Sequence, residues 1–231
     1  MKDPYIYQDS DVLINKHNIR DKNKLDEFEN RMTNLALISL IKNSLKISTS
    51  KDVLKIHKKL FENVYEWAGE PRKIDIYKEE PIINGKSVEY TTHKNITNEL
   101  IHIDHQYFKN EWTLLKKEDF IHLFTRMIGD VWKVHPFREG NTRTVAAFAY
   151  LFLKQYGYDF NAELISHHAK YFRNALVMAS LGQYAEYQYL QSILIDAVSN
   201  KADVVKKEKY DKIKDYQIDQ YNYVYHKAKW W

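Results

Sequence analysis

Apolar positions recur along most of this chain at a spacing of three to four residues, the period of an amphipathic helix. The first such stretch carries Leu25, Phe28, Met32, Leu35, Ile38 and Ile41 on one face, after a polar arm from Tyr5 to Asn23 that reads as extended. A second begins after Ser50, with Val53, Leu54, Ile56, Leu60, Phe61 and Val64 as its expected buried stripe. It is predicted to end near Trp67-Ala68-Gly69. The period then changes. Lys73-Ile74-Asp75-Ile76-Tyr77-Lys78 alternates polar and apolar residues, as does Lys86-Ser87-Val88-Glu89-Tyr90 after Asn84-Gly85. That pattern predicts a β-hairpin, with Pro81 and Ile82-Ile83 lengthening its loop. Helical spacing returns over 96–108, 120–134, 142–156, 162–178 and 184–197. The expected fold is all-α, six to seven helices around a central helix pair, with one small β-hairpin as its only sheet.

Composition narrows the classes. The 231 residues include no cysteine, which removes disulfide scaffolds, thiolate metal sites and cysteine nucleophiles together. Six Gly, four Pro and 14 % aromatic residues describe a chain with enough apolar mass for a core. The net charge is +4, and the segment from Lys201 onward holds a surplus of three, which leaves the rest almost neutral. A basic nucleic-acid footprint is therefore not expected. The longest apolar run, Val145 to Leu153, falls well short of the ~20 residues of a membrane span. No signal peptide follows Met1-Lys2-Asp3-Pro4, so the expected origin is cytoplasmic. One domain is expected over 1–200. The remainder, 201–231, reads as a basic, aromatic helical tail, solvated rather than in nucleic-acid or membrane contact because its charge surplus is small, and its Trp230-Trp231 end is compatible with a further domain in a longer protein.

The chemistry concentrates in His135-Pro136-Phe137-Arg138-Glu139-Gly140-Asn141-Thr142-Arg143-Thr144. Apolar helices enter and leave this stretch, and Pro136 and Gly140 interrupt them. The predicted result is a loop anchored by Phe137 that ends at a helix N-terminus, where free N–H groups and the helix dipole attract anions. Gly140 allows positive φ or close approach, Asn141 tolerates it, and Arg143 adds a permanent charge. Glu139 offers an oxygen ligand suited to Mg²⁺, and His135 a proton acceptor near neutral pH. Taken singly, His135 reads as a hydrogen-bonded structural residue, and Glu139 with Arg143 as an i,i+4 surface pair. Together they compose a phosphate-chemistry kit.

This stretch resembles the signature of the Fic family, His-x-Phe-x-Asp/Glu-Gly-Asn-Gly-Arg-x-x-Arg. Upstream, Tyr65-Glu66-Trp67-Ala68-Gly69-Glu70-Pro71-Arg72 and the hairpin resemble that family's entry into its flap. The resemblance covers about Tyr5 to Val198. It implies a helical Fic fold and an enzyme that transfers AMP from ATP to a Ser, Thr or Tyr hydroxyl of a protein. By resemblance, His135 is the base, and Glu139 holds Mg²⁺ on the α- and β-phosphates. Gly140, Asn141, Thr142 and Arg143 would cradle the phosphates. The flap residues Ile74, Asp75, Ile76, Tyr77 and Lys78 would dock the target protein by strand addition. A bacterial setting follows, with secretion into a host cell as an effector and control by a regulatory protein both compatible with it.

Two positions depart from the signature. Thr142 replaces a glycine, adding a hydroxyl that either bonds or crowds a phosphate, and Ala146 replaces the second arginine. No Ser or Thr has Glu four residues later, so the family's inhibitory Ser/Thr-x-x-x-Glu helix is not expected here. The missing arginine leaves a kinase of the Doc type, or transfer of UMP or phosphocholine, as alternatives. A non-catalytic binding module is the alternative of a different class. Elsewhere, His102 and His105 near Asp104 read as a solvated face rather than a metal pair. His167 and His168 read as adjacent positions of one helix. Tyr184, Tyr187 and Tyr189 read as a core stripe, or as a border of an adenine pocket.

Overall fold

Asp21 starts the first helix by accepting the N–H of Lys24 at 2.9 Å, a side-chain cap on a helix otherwise short of acidic residues in its first turn. The computed structural model describes residues 3–200 together with Tyr216 and Ile218, so the expected tail at 201–231 lies otherwise outside the described residues. These hold eight α-helices: α1 (Lys22–Asn43), α2 (Asp52–Phe61), α3 (Ile96–Tyr107), α4 (Lys117–Val134), α5 (Asn141–Gln155), α6 (Ala162–His167), α7 (Ala169–Ala179) and α8 (Gln188–Ala197). Two three-residue strands, β1 (Tyr158–Phe160) and β2 (Val198–Asn200), pair antiparallel with Tyr158 opposite Asn200. The fold is mostly helical, as the spacing predicts. No helix among the described residues is long and apolar enough to cross a membrane.

The chain divides into two compact units, the first made of 1–75, 91–108 and 134–152 and the second of the remainder. In the first, α1 packs on α2. Its buried line is Leu25, Glu29, Thr33 and Leu40, whereas Leu35 and Ile38, expected inside, are 58 % and 52 % exposed. The helix is rotated from the apolar reading because a carboxylate with charged and hydroxyl partners occupies the interior line. The start of α2 is fastened to α3: the Ser50 N–H donates to Asp104 Oδ1 at 2.5 Å and its hydroxyl to the Leu100 carbonyl at 2.7 Å. Asp104 is thus bound to α2 rather than grouped with His102 and His105. The second helix ends at Phe61, six residues before the predicted stop. The Phe61 carbonyl accepts both the Val64 and Tyr65 N–H groups, at 2.8 and 2.9 Å, which tightens the chain out of helical register.

In the second unit, Trp112, Phe120, Tyr156 and Tyr158 form an aromatic cluster, with ring centroids 4.6 to 5.7 Å apart for the Phe120 pairs with Trp112, Tyr156 and Tyr158. The helix expected over 162–178 is broken at His168, whose φ of −106° and ψ of 33° separate α6 from α7. Tyr184, Tyr187 and Tyr189 are half-buried rather than core. Tyr187 lies against Gly129, where an added Cβ would come within 3.2 Å of its ring. The hairpin is present as one antiparallel bridge, Glu80 to Lys86, closing a 3₁₀ turn at Pro81–Ile83 with Asn84 and Gly85 at φ 58° and 77°. Neither alternating segment forms a regular strand.

Candidate active site

Between the end of α4 and the start of α5, six residues reverse the chain, and two of them hold left-handed backbone: His135 at φ 47° and Gly140 at φ 81°. Such a φ is uncommon outside glycine and collects at sites where a side chain must be aimed. Asn141, the first residue of α5, closes the loop on itself. Its Oδ1 accepts the Phe137 N–H at 3.0 Å while its Nδ2 donates to the Phe137 carbonyl at 2.8 Å. The Gly140 carbonyl then receives both the N–H and the hydroxyl of Thr144, at 3.0 and 2.9 Å. Phe137 is 1 % exposed, the anchor the sequence predicts. The Asn141 amide, expected on phosphates, is spent on building the loop.

Arg72 holds the other side. Its N–H donates to the Pro136 carbonyl at 2.7 Å, its Nε to the His135 carbonyl at 2.9 Å and its Nη1 to the Ile74 carbonyl at 2.7 Å. The Thr91 carbonyl accepts from Nη2. Asp75 accepts the backbone N–H of His93 at 2.7 Å and its Nδ1 at 3.0 Å. That backbone bond, and then the ring, hold the Asp75 carboxyl below the usual carboxylate range. One buried guanidinium therefore ties the 135–140 loop to both feet of the excursion at 75–91. Of the expected docking residues, Ile74, Ile76 and Lys78 are half-buried while Asp75 and Tyr77 are exposed, so the alternation is kept.

Beneath the loop lies an aromatic stack. The His57 ring sits 3.7 Å from Phe137 and 4.5 Å from Phe61, at interplanar angles of 14° and 24°. Its Nδ1 accepts the Gly69 N–H at 2.8 Å, and its Nε2 lies 3.1 Å from the Glu139 carbonyl. Burial pushes this imidazole down to about 3, and Arg143 works in the same direction, against the Glu139 hydrogen bond. A Cβ at Gly140 would stand 2.4 Å from Phe61 Cζ, so the loop closes over that ring only with glycine there.

His135 itself is 1 % exposed, an imidazole enclosed in the protein rather than offered to solvent. Glu139 is half-buried and its Oε1 accepts the Gly140 N–H at 2.9 Å, so a carboxylate already lies at the opening of α5. Arg143 stands 4.9 Å over the Phe61 ring and pairs with Glu29, which also accepts the Tyr65 hydroxyl. Burial and then the adjacent Glu29 push the Tyr65 phenol far above its ordinary range. Thr142 is half-buried in the first turn, and Ala146 occupies the next.

The donor set fits a nucleotide with its magnesium. The N–H of Gly140, just before a 15-residue helix, meets a carboxylate oxygen, that glycine admits no Cβ, a guanidinium lies in the helix's first turn, and Glu139 is a carboxylate of the kind Mg²⁺ takes in ones and twos alongside phosphate oxygens. Glu29 and His57 join this site without any expectation from the sequence, and Arg72, expected only as part of the flap entry, proves to be its tether. Glu29 and His57 each fall on the buried line of their helix, four residues after Leu25 and four after Val53, and that spacing was their signal.

The Fic/DOC family model matches residues 47–153. The protein adenylyltransferase VbhT of Bartonella schoenbuchensis is 30 % identical over 196 residues, 84 % of this chain and 38 % of that protein, so the chain spans well under half of its length. The probable protein adenylyltransferase y4lH of Sinorhizobium fredii is 30 % identical over 186 residues, 80 % of this chain and 92 % of its own. Among solved structures, the BepC effector of Bartonella tribocorum with bound AMPPNP superposes with a TM-score of 0.71 at 20 % identity, over 85 % of this chain and 97 % of that one. The Fic domain of an effector from Bartonella sp. AR 15-3 gives 0.74 at 22 %, over 87 % and 93 %. With loop, cradle and relatives in agreement, the chain belongs to the Fic/DOC family.

Proposed function

We propose that this chain is a protein adenylyltransferase, transferring AMP from ATP to a hydroxyl of a target protein. The observation that carries the reading is the His135-to-Arg143 loop, with left-handed backbone at His135 and Gly140 and the Gly140 N–H, at the entry to α5, meeting a carboxylate. The names of VbhT and y4lH support the same reaction class.

In this reading the Gly140 N–H and the following amides take phosphate oxygens, and Arg143 adds charge to them. Glu139 would hold Mg²⁺, which when bound would neutralise phosphate charge. His135 accepts the proton of the attacking hydroxyl. The hydroxyl oxygen bonds the α-phosphorus, the bond to the β-phosphate oxygen breaks, and pyrophosphate leaves. Asn141 and Arg72 do no chemistry; they hold the loop so that base and cradle keep their spacing. Because His135 is 1 % exposed, the hydroxyl reaches it by displacing its cover. The segment Ile74 to Lys78 is proposed to present its backbone to the target. Ala146, in place of an arginine, leaves the γ-phosphate without that guanidinium, and the inhibitory helix that such an arginine would meet has no counterpart in the sequence.

The test is to incubate the protein with cell lysate and ATP labelled at the α- or the γ-phosphate. Label from the α position is expected on protein, and His135→Ala is expected to remove it. Retention of γ label alone would replace this reading by a kinase. Label that survives in His135→Ala would sink the role given to that imidazole.

A further inference from the structure

We propose that His57, a residue outside the signature loop, is a positioning residue that orients the Glu139–Gly140 peptide so that its N–H faces the phosphates. The inference rests on the reading of the α5 N-terminus as the ATP cradle.

Glycine at 140 creates the need. With no Cβ, Gly140 tolerates many backbone angles, so the peptide preceding it can turn over at little cost, reversing the direction of its N–H. Something other than Gly140 must hold that peptide. The His57 side chain is fully buried, and both ring nitrogens are engaged. A neutral imidazole has one donor and one acceptor nitrogen. Since Nδ1 accepts the Gly69 N–H, Nε2 carries the proton and donates it to the Glu139 carbonyl. The peptide is planar and trans, so holding its C=O toward α2 aims the Gly140 N–H the opposite way. There it meets Glu139 Oε1 at 2.9 Å, an anionic oxygen in the place a phosphate oxygen would take.

The anchorage of His57 is itself firm. Phe137 and Phe61 hold the ring by stacking, which fixes the direction of the Nε2–H. Gly69, which donates to Nδ1, has φ 83°, and a Cβ there would lie 2.7 Å from Lys58 Cβ, so that turn is pressed against α2. The tautomer is therefore set by a backbone amide packed closely against α2.

Two substitutions separate orientation from packing. His57→Phe keeps an aromatic ring in the stack and donates nothing. His57→Gln gives up the stack but keeps an amide that reaches the Glu139 carbonyl. The expected result is that kcat/KM for ATP in AMP transfer falls roughly 100-fold in His57→Phe, the scale of losing one aligned donor, while His57→Gln retains activity within about tenfold of the parent. If Phe matches or exceeds Gln, His57 only packs and the proposal is overturned. Nitrogen-15 spectra of the unsubstituted protein, which do not depend on either variant folding, are expected to show a neutral His57 ring protonated at Nε2; a ring protonated at Nδ1 alone overturns it too. An unsubstituted protein that transfers no AMP would count against the proposed function instead, with the ring spectrum still deciding the orientation.

Discussion

Gly140 shows how far one missing atom shapes this site. The left-handed φ of 81° alone makes an L side chain costly there, and the Phe61 ring under it leaves no room: Cζ and Cε2 would be 2.4 and 2.6 Å from an added Cβ. The ring cannot swing aside, because it is stacked on His57 and carries Arg143 above its face. Gly140→Ala is expected to lower folding stability by about 2–3 kcal/mol, read from chemical denaturation, and to remove AMP transfer. Adding Phe61→Leu should return part of the stability by opening space. An alanine variant as stable as the parent would show that the loop accommodates a Cβ. His135 is the complementary case, a non-glycine residue held at positive φ by Arg72 on its carbonyl, and such a conformation is retained where the aim of the side chain matters.

At the scale of elements, the buried guanidinium of Arg72 joins three segments that are far apart in sequence. It serves the carbonyls of His135, Ile74 and Thr91 from a fork of fixed shape. Arg72→Lys keeps the charge and loses the fork, and a single ammonium cannot reach all three acceptors. The expected cost is about 3 kcal/mol, seen as a lower denaturation midpoint, with AMP transfer falling further than stability because both the 135–140 loop and the feet of the segment proposed to meet the target lose a tether. A lysine variant with parental activity would separate the two. The link between the 135–140 loop and the segment at 74–91 has no periodic signature in the sequence, since an arginine in a loop follows no repeat.

Across the whole molecule, the helical frame was legible because apolar spacing reports burial directly, and the 135–143 loop was legible because His, Pro, Glu and Gly in that order have few other uses. What escaped reading was polar burial. Glu29 rotates α1 away from its apolar stripe, and His57 sits among core residues as an aromatic wedge with two hydrogen bonds. The break at His168 and the three-residue strands β1 and β2 fall below the length at which periodicity can be measured. The buried neutral His57 also makes stability depend on pH. Its folded value of about 3 lies below the ordinary 6.5, so between these the unfolded chain holds the extra proton. The stabilisation is complete above about pH 6.5 and is lost as pH falls toward 3, by about 2 kcal/mol between pH 6.5 and 5. Urea midpoints in parent and His57→Gln over that interval check it: the parent should decline more steeply, and equal slopes would refute the assignment.

The eight residues from the Asp21 cap to Glu29 make slightly more than two turns of α1, and that count delivers a carboxylate to Arg143 and Tyr65. The first helix thus works as a gauge block whose length sets where an acid tooth meshes. Inserting or deleting a single residue in it would swing Glu29 by about 100° around the axis and leave Arg143 without its counter-charge, although no atom of the signature loop had been touched.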